Sequence, residues 1–242
     1  MPVLISDDYN TMSKAAADLC AKLLQGANSR LVCIASGDTP RGMYQELTAR
    51  VTRKEQNITG WKFIGLDEWV GMNKSDPGSC GEFLDQYIIQ PLQLKPGSYR
   101  LFDGRSADLE AECEAAEKFI EPFGQLDLAI LGLGMNGHLG LNEPGAPIDK
   151  KTYVGELAAS TIATGQKYFT GPTPLTRGIT LGLGTLLNAK HVFLLVSGEK
   201  KAAILKEVME GPISNKVPGS LLRNHPGFHL IADKAAAGLL DH

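Results

Sequence analysis

The chain has 242 residues, of which 43% are hydrophobic and 21% charged, a composition that can bury a core and that excludes a disordered protein. Its 24 Lys and Arg against 27 Asp and Glu give a net charge of −3. This balance argues against a nucleic-acid partner but leaves room for a small phosphorylated ligand. The longest apolar runs, such as residues 126–133, are too short to span a bilayer, so no membrane partner is expected.

The N-terminus and the cysteines bear on the compartment. The first ten residues, MPVLISDDYN, lack the basic start and the long apolar run of a secretory signal. The four cysteines show neither a CxxC pair nor the spacing of a metal site; they are Cys20, Cys33, Cys80 and Cys113. Cys20 and Cys33 lie among apolar residues and are expected to pack as small hydrophobic side chains. These features predict a reduced, cytoplasmic protein.

Short apolar runs alternate with amphipathic helical patterns along the chain. The first half predicts a helix after Asp7 and Asp8 that ends near Gly26, strand 31–36, a helix from Thr39-Pro40 to about Val51, strand 61–66, a helix after the capping-box spacing Ser79-x-x-Glu82, strand 98–103, helix 107–120 and strand 126–133. After a middle rich in Gly and Pro, which we expect to be irregular, come strand 191–197, helix 199–210, a short helix near 218–224, strand 227–233 and a last helix.

Strands that are apolar throughout and separated by helices predict a mostly parallel sheet with both faces covered. We therefore expect one α/β domain over residues 1–242, a three-layer α/β/α sandwich with a Rossmann-like sheet. In such a sheet the ligand site lies outside the carboxyl ends of the strands. Four segments follow strands directly and are the candidates for that site.

Two of these segments lie in the first third of the chain. Residues 36–40, Ser-Gly-Asp-Thr-Pro, join a strand to a helix start, where small residues and free N–H groups suit a phosphate. The alternative there is a plain turn with Thr39 as the N-cap. Asp67 and Glu68 follow strand 61–66, and a carboxylate at a cleft edge can act as a general base. The alternative is that Asp67 only caps or turns the chain.

The third segment, residues 131–145, carries the strongest signal. Its five glycines between 132 and 145 accompany Asn136, His138, Asn142 and Glu143. A histidine with a carboxylate five residues later is a common acid/base pair. The fourth segment is Ser197-Gly-Glu-Lys-Lys201, in which a lysine near a helix start can bind a phosphate. The simpler interpretation is a pair of solvated lysines. Lys167, Arg177 and Arg223 are further candidates.

Five motifs carry a family resemblance that spans nearly the whole chain. They are SGDTP (36–40), LDEWVG (66–71), LGLGMNGHLGLNEPG (131–145), RGITLGLGTLLNA (177–189) and Gly-x-x-Lys (198–201), in this order. With them the chain resembles the glucosamine-6-phosphate deaminase / 6-phosphogluconolactonase superfamily, and within it the amino-sugar phosphate deaminase/isomerases. Trp69, residues 77–80 (Pro-Gly-Ser-Cys) and RGITLGL are most similar to the galactosamine-6-phosphate deaminase/isomerase group.

The resemblance implies a role for each matching residue. Asp67 matches the base that moves a proton between C2 and C1 of the opened sugar, His138 matches the ring-opening acid/base, and Glu143 matches the carboxylate that orients it. The residues that match the phosphate site are Ser36, Gly37, Asp38, Thr39 and Lys201.

The chain also departs from the family pattern. Asn136 stands where a family aspartate lies, so it can hold the loop and bond to a hydroxyl but cannot share a proton. Lys167 aligns with a phosphate-binding arginine, and an ammonium there neutralises charge without a bidentate grip. Residues 145–155 lack the serine, arginine and lysine pattern of the regulated hexameric members, which argues against allosteric activation by an N-acetylated sugar phosphate.

The expected activity is a deaminating isomerisation of galactosamine 6-phosphate to tagatose 6-phosphate, or of glucosamine 6-phosphate to fructose 6-phosphate. This chemistry needs an acid/base pair, a carboxylate base and a phosphate clamp, and we expect no cofactor and no metal. Two alternatives remain. A 6-phosphogluconolactonase-like hydrolase shares both loops, although Asn142-Glu143-Pro144 counts against it, and a non-catalytic sugar-phosphate sensor would not need Asp67, His138 and Glu143 together. The sequence leaves open whether the chain forms a homo-oligomer.

Overall fold

The computed structural model describes residues 2–26 and 29–241, so the predicted domain extends one residue beyond the described part at each end. The strands are β1 (Val3–Ser6), β2 (Arg30–Ile34), β3 (Trp61–Gly65), β4 (Asp67–Trp69), β5 (Tyr99–Arg100), β6 (Leu128–Gly132), β7 (Tyr153–Glu156), β8 (Arg177–Thr180), β9 (His191–Val196) and β10 (Phe228–Asp233). The α-helices are α1 (Tyr9–Leu23), α2 (Asp38–Thr52), α3 (Cys80–Leu84), α4 (Leu109–Ile120), α5 (Ala159–Gly165), α6 (Leu183–Leu187), α7 (Ala202–Glu210) and α8 (Lys234–Ala237). Shorter helical turns cover Asp85–Ile89, Glu121–Phe123, Gln166–Tyr168, Glu199–Lys201 and Pro218–Asn224.

Seven strands form a parallel sheet in the order β1-β10-β9-β6-β2-β3-β5. Successive side chains of a strand point to opposite faces. In β2, Leu31 and Cys33 therefore join one core layer and Val32 and Ile34 the other. Because both faces are covered by apolar side chains from the helices, the strands read as continuous hydrophobic runs. The predicted three-layer α/β fold with a mostly parallel sheet is confirmed.

A second, smaller sheet was not predicted. β4, β8 and β7 pair antiparallel in the order β4-β8-β7, with Asp67 opposite Thr180 and Tyr153 also opposite Thr180. The expectation of an irregular middle was therefore wrong for β7, α5 and β8. These elements are short and rich in Gly and Thr, so their own sequence carries little periodicity.

Two helix starts differ from the simplest sequence interpretation. α2 begins at Asp38 with Gly37 as its N-cap, so the alternative in which Thr39 caps the helix is wrong. Gly37 has φ 115°, a backbone conformation that favours glycine. At α3 the predicted cap is correct, because the Ser79 side chain accepts from the Glu82 N–H at 2.9 Å. The capping box is not closed by Glu82, whose carboxylate accepts instead from the Gly78 N–H.

Other boundaries moved by a few residues. The predicted strand 98–103 is reduced to Tyr99–Arg100, and the predicted helix 199–210 starts as a 3₁₀ turn before α7. Cys20 and Cys33 are fully buried, as expected for cysteines that pack as small hydrophobic residues. Within the described ranges, none of the helices combines the length and the apolar character that a bilayer crossing requires.

Candidate functional site

A cleft opens at the carboxyl edge of the parallel sheet, beyond β2, β3 and β6. Its volume is about 930 Å³ when the open mouth is included. The cleft brings together residues that are as far apart in sequence as Ser36 and Lys201. The predicted site residues that line it are Ser36, Gly37, Asp38, Thr39, Asp67, His138, Lys167 and Lys201. The two remaining predicted residues, Asn136 and Glu143, contact His138 or its partners instead.

The loop after β6 places the histidine. The ring of His138 lies over Gly134, where an added Cβ would come within 2.4 Å of the ring atoms, so only glycine leaves space for it. The Gly134 N–H also donates to the His138 carbonyl oxygen at 3.0 Å, which closes the loop on itself. The glycine enrichment of this segment is thus explained at this position by close contact between the backbone and the imidazole.

Glu143 lies behind the histidine. Its Oε2 is 3.4 Å from His138 Nδ1, and Thr161 Oγ1 is 3.2 Å from the same nitrogen. The Asn136 side-chain amide donates to Glu143 Oε2 at 2.9 Å, and the Ala158 N–H donates to Oε1 at 3.2 Å. Burial by itself would raise the pKa of Glu143, but the hydrogen bonds from His138, Thr161 and Asn136 outweigh it and lower the pKa to about 2. Glu143 is therefore a fixed anion that faces the imidazole.

Asn142 supports the same loop from below. It is fully buried, and its side-chain amide donates to the carbonyl oxygens of Leu139 at 2.8 Å and Leu181 at 2.9 Å. Leu181 directly follows β8, so this residue ties the histidine loop to the second sheet. Asn142 therefore supports the loop from within the core and does not line the cleft.

Asp67 opens β4 and lines the same cleft as His138, with which its charge interacts. Burial raises the pKa of Asp67 to about 6, although a hydrogen bond from Cys80 and the nearby His138 oppose the shift. A carboxylate with such a pKa is ionised at neutral pH and is a stronger base than an exposed aspartate.

The neighbouring Glu68 has a different position. Its carboxylate is fully buried away from the cleft and accepts three backbone N–H groups, from Trp69, Cys80 and Gly81, at 2.8–3.0 Å. Burial raises the pKa of Glu68 to about 7, even though these hydrogen bonds act in the opposite direction. Of the two adjacent carboxylates, only Asp67 lines the cleft.

Cationic groups and a helix N-terminus lie together in the cleft and are called its cationic end. Gly37 and the first turn of α2 face it, and Lys167 and Lys201 stand beside them. Lys201 Nζ donates to the Leu133 carbonyl oxygen at 2.5 Å, and burial together with the charge of Lys167 lowers the pKa of Lys201 to about 8. The side chain of Asp38 is bound by Lys167 at 2.8 Å and by Arg41.

Some candidates lie elsewhere, and some lining residues were missed. Arg177 is exposed at the start of β8, and Arg223 donates to the Gly211 carbonyl oxygen; neither lines the cleft. The lining residues that the sequence did not single out come mainly from the α5 region: Ser160, Thr161, Thr164, Gly165 and Tyr168, together with Trp69 and Cys80. The only sequence signal for any of these was the family likeness at Trp69 and Cys80.

Comparison with known proteins decides the family. The sequence profile described as glucosamine-6-phosphate isomerases/6-phosphogluconolactonase matches residues 7–230. The chain belongs to this family. The predicted superfamily is therefore confirmed, as is the prediction that the chain is an enzyme.

Individual relatives cover almost the whole chain. A glucosamine-6-phosphate deaminase from Thermoanaerobacter pseudethanolicus is 36% identical over 241 residues, which are 99% of this chain and 95% of that protein. A putative deaminase, AgaI, from Escherichia coli is 37% identical over 223 residues, covering 92% of this chain and 88% of its own. Among solved structures, a monomeric glucosamine-6-phosphate deaminase has 31% identity and a TM-score of 0.94, covering 99% of this chain and 100% of its own. The 6-phosphogluconolactonase from Trypanosoma cruzi shares the fold, with a TM-score of 0.79 over 100% of this chain and 97% of its own, at 18% identity.

Proposed function

We propose that residues 1–242 form a single amino-sugar phosphate deaminase/isomerase domain. It converts a 2-amino-2-deoxy-hexose 6-phosphate and water to a ketose 6-phosphate and ammonia. The observation that carries this proposal is that Asp67 and His138 line one cleft, with Glu143 in contact with the histidine and with Lys167 and Lys201 in the same cleft. The named deaminases that resemble the whole chain support the same reaction class.

The reaction begins at the sugar ring. His138 gives a proton to the ring oxygen and accepts the proton of the C1 hydroxyl, which opens the pyranose. Glu143 faces Nδ1, so it orients the imidazole toward the sugar. Asn136 holds Glu143 through its amide and, through its carbonyl oxygen, accepts from the His138 backbone N–H at 3.2 Å.

Proton transfer along the opened chain follows. Asp67 removes the proton from C2, which gives an enolamine, and returns it to C1. The imine then present at C2 adds water and expels ammonia, which leaves the ketose phosphate. The raised pKa of Asp67 suits this step, because a base of pKa about 6 binds the C2 proton more strongly than an exposed aspartate does.

The phosphate is placed at the cationic end of the cleft. The N–H groups at the start of α2, near Gly37, Asp38 and Thr39, and the hydroxyl of Ser36 suit phosphate oxygens. Lys201 and Lys167 add positive charge. Holding the phosphate there fixes the position of C1 and C2 relative to the base, which converts binding energy into orientation.

The preferred substrate in this proposal is galactosamine 6-phosphate. Two of the three features that carry the likeness to that group, Trp69 and Cys80, line the cleft beside Asp67. Glucosamine 6-phosphate is the second candidate, favoured by the names of the relatives that cover the chain.

Ammonia release from the two hexosamine phosphates, measured side by side, tests both the proposed reaction and the proposed substrate preference. We expect turnover of each, faster with galactosamine 6-phosphate, and none from the Asp67→Asn variant. Equal rates, or faster turnover of glucosamine 6-phosphate, would overturn the substrate preference and keep the reaction. No ammonia from either, with hydrolysis of 6-phosphogluconolactone instead, would overturn the deaminase.

A further inference from the structure

The first turn of α3 is fastened to β4 beside Asp67. The buried carboxylate of Glu68 accepts from the Cys80 N–H at 3.0 Å and from the Gly81 N–H at 2.8 Å. The contact is tight, because a Cβ at Gly81 would lie 3.0 Å from Glu68 Oε2 and 2.9 Å from the Lys74 backbone. This arrangement leaves little freedom in where the side chain of residue 80 can lie.

The side chain held there is a thiol that lines the cleft. Cys80 is only 5% exposed and lines the same cleft as Asp67 and Ser36, and its side chain interacts with both. Burial raises the pKa of Cys80 well above its ordinary value, and the charges of Asp67 and Glu68 raise it further. The thiol therefore keeps its proton at physiological pH and is a donor rather than a nucleophile.

We propose that Cys80 is a positioning residue for the base: its Sγ–H donates to the Asp67 carboxylate. One carboxylate oxygen is thereby held against the wall of the cleft, and the other faces the sugar. The inference rests on the proposed function, because it takes Asp67 as the base. It goes beyond that function because it assigns to Cys80, in the first turn of α3, the orientation of the Asp67 carboxylate.

The arrangement affects the base in two ways. A donor to the ionised carboxylate opposes the effect of burial, so more of Asp67 is ionised near neutral pH. A fixed carboxylate also needs no reorientation when the C2 proton is transferred. Removal of the thiol proton should therefore change the pH dependence of the reaction as well as its rate.

The test compares Cys80→Ala, which lacks the donor, with Cys80→Ser, which restores a hydroxyl donor. Cys113→Ala serves as the matched control, because Cys113 is buried in α4 and does not line the cleft. Two quantities are measured: the pH profiles of kcat and kcat/KM, and the pKa of the Asp67 carboxyl from a carbon-13 NMR titration without substrate. A thermal melt of each variant confirms that it is folded.

In Cys80→Ala we expect kcat to fall about tenfold with KM little changed, the size of a lost hydrogen bond to a charged group. The acidic limb of the profile and the Asp67 pKa should both rise by about one unit. Cys80→Ser should recover most of both effects, and Cys113→Ala should match the parent.

Three outcomes overturn the proposal: an acidic limb and an Asp67 pKa that do not move in Cys80→Ala, a shift that Cys80→Ser shares in full, or an equal shift in Cys113→Ala. Failure of the proposed function looks different, because the parent enzyme would then release no ammonia. The NMR titration still reports the contact between Cys80 and Asp67 in that case.

Discussion

His138 Nδ1 lies 3.4 Å from Glu143 Oε2, which leaves the other ring nitrogen free to act on a ligand in the cleft. The carboxylate is held from three further sides by Asn136, Ala158 and Thr161. A histidine in such a setting has one orientation and a negative charge behind it, which are the properties needed in a group that both gives and takes a proton.

Substituting His138 and Glu143 separately and together tests whether the two residues act as one unit. His138→Gln should lower kcat on the closed pyranose by about 10²–10⁴-fold, and Glu143→Gln by somewhat less, because the imidazole remains but loses its partner. The double variant should be no worse than His138→Gln. Glu156→Gln, an exposed carboxylate on β7, is the control. Effects that multiply in the double variant would separate the two residues functionally.

Replacing the base should separate chemistry from binding. We expect Asp67→Asn to abolish ammonia release, because an amide cannot accept the C2 proton. Its affinity for the sugar phosphate should stay within a few-fold of the parent, because the phosphate end of the cleft is unchanged. Isothermal titration calorimetry and the ammonia assay check the two parts. Release of ammonia at the parent rate would remove Asp67 from the role of base.

The rate should depend on pH through the same group. Burial raises the pKa of Asp67 to about 6, so the base becomes protonated as the pH falls through that value. We expect kcat/KM to fall about tenfold per pH unit below pH ~6 and to be level just above it. An acidic limb near pH 4 would mean that the carboxyl which limits the rate behaves as an exposed one.

The raised pKa of Asp67 also predicts that the free energy of unfolding decreases when this carboxyl ionises. Between the ordinary value of 3.8 and about 6, the folded protein binds more protons at this site than the unfolded chain does, so stability falls as pH rises through that window. Asp67→Asn should therefore raise stability at pH 7 by an amount on the order of 1–3 kcal/mol, with a smaller gain toward pH 4. Thermal melts at both pH values measure the gain, with the exposed Asp149→Asn as the control. A gain of equal size at both pH values would contradict the electrostatic explanation.

Phosphate binding should depend more on Lys201 than on Lys167. Lys201 is the more buried of the two, whereas the Lys167 ammonium is exposed and already paired with Asp38. Lys201→Met should raise KM by about 10–100-fold, the size of a lost charged contact, and Lys167→Met should raise it less. Lys200→Met changes the exposed neighbour and should leave KM unaltered. A raised KM in Lys200→Met, or none in Lys201→Met, would place the phosphate elsewhere.

Much of the site follows from local sequence. Each of the four candidate segments follows a strand, and parallel strands end at one edge of their sheet, so Ser36, Asp67, His138 and Lys201 had to come near each other. The contact of His138 with Glu143 is also local, because five residues separate them within one glycine-rich loop. The second sheet could not be predicted, since β7 and β8 are short and β8, which lies between the other two strands, pairs with β4 far away in sequence.

By itself, the sequence determined the layered α/β fold, because buried parallel strands and amphipathic helices leave distinct hydrophobic periods in the chain. It also determined which side chains with useful chemistry stand at the strand ends. Only the tertiary structure decided how those side chains are tuned. Burial sets the pKa of Asp67 to about 6, and Glu68 places the Cys80 thiol beside it through hydrogen bonds that span 12 and 13 residues. Desolvation and contacts of this kind depend on packing in three dimensions, which no local pattern of residues records.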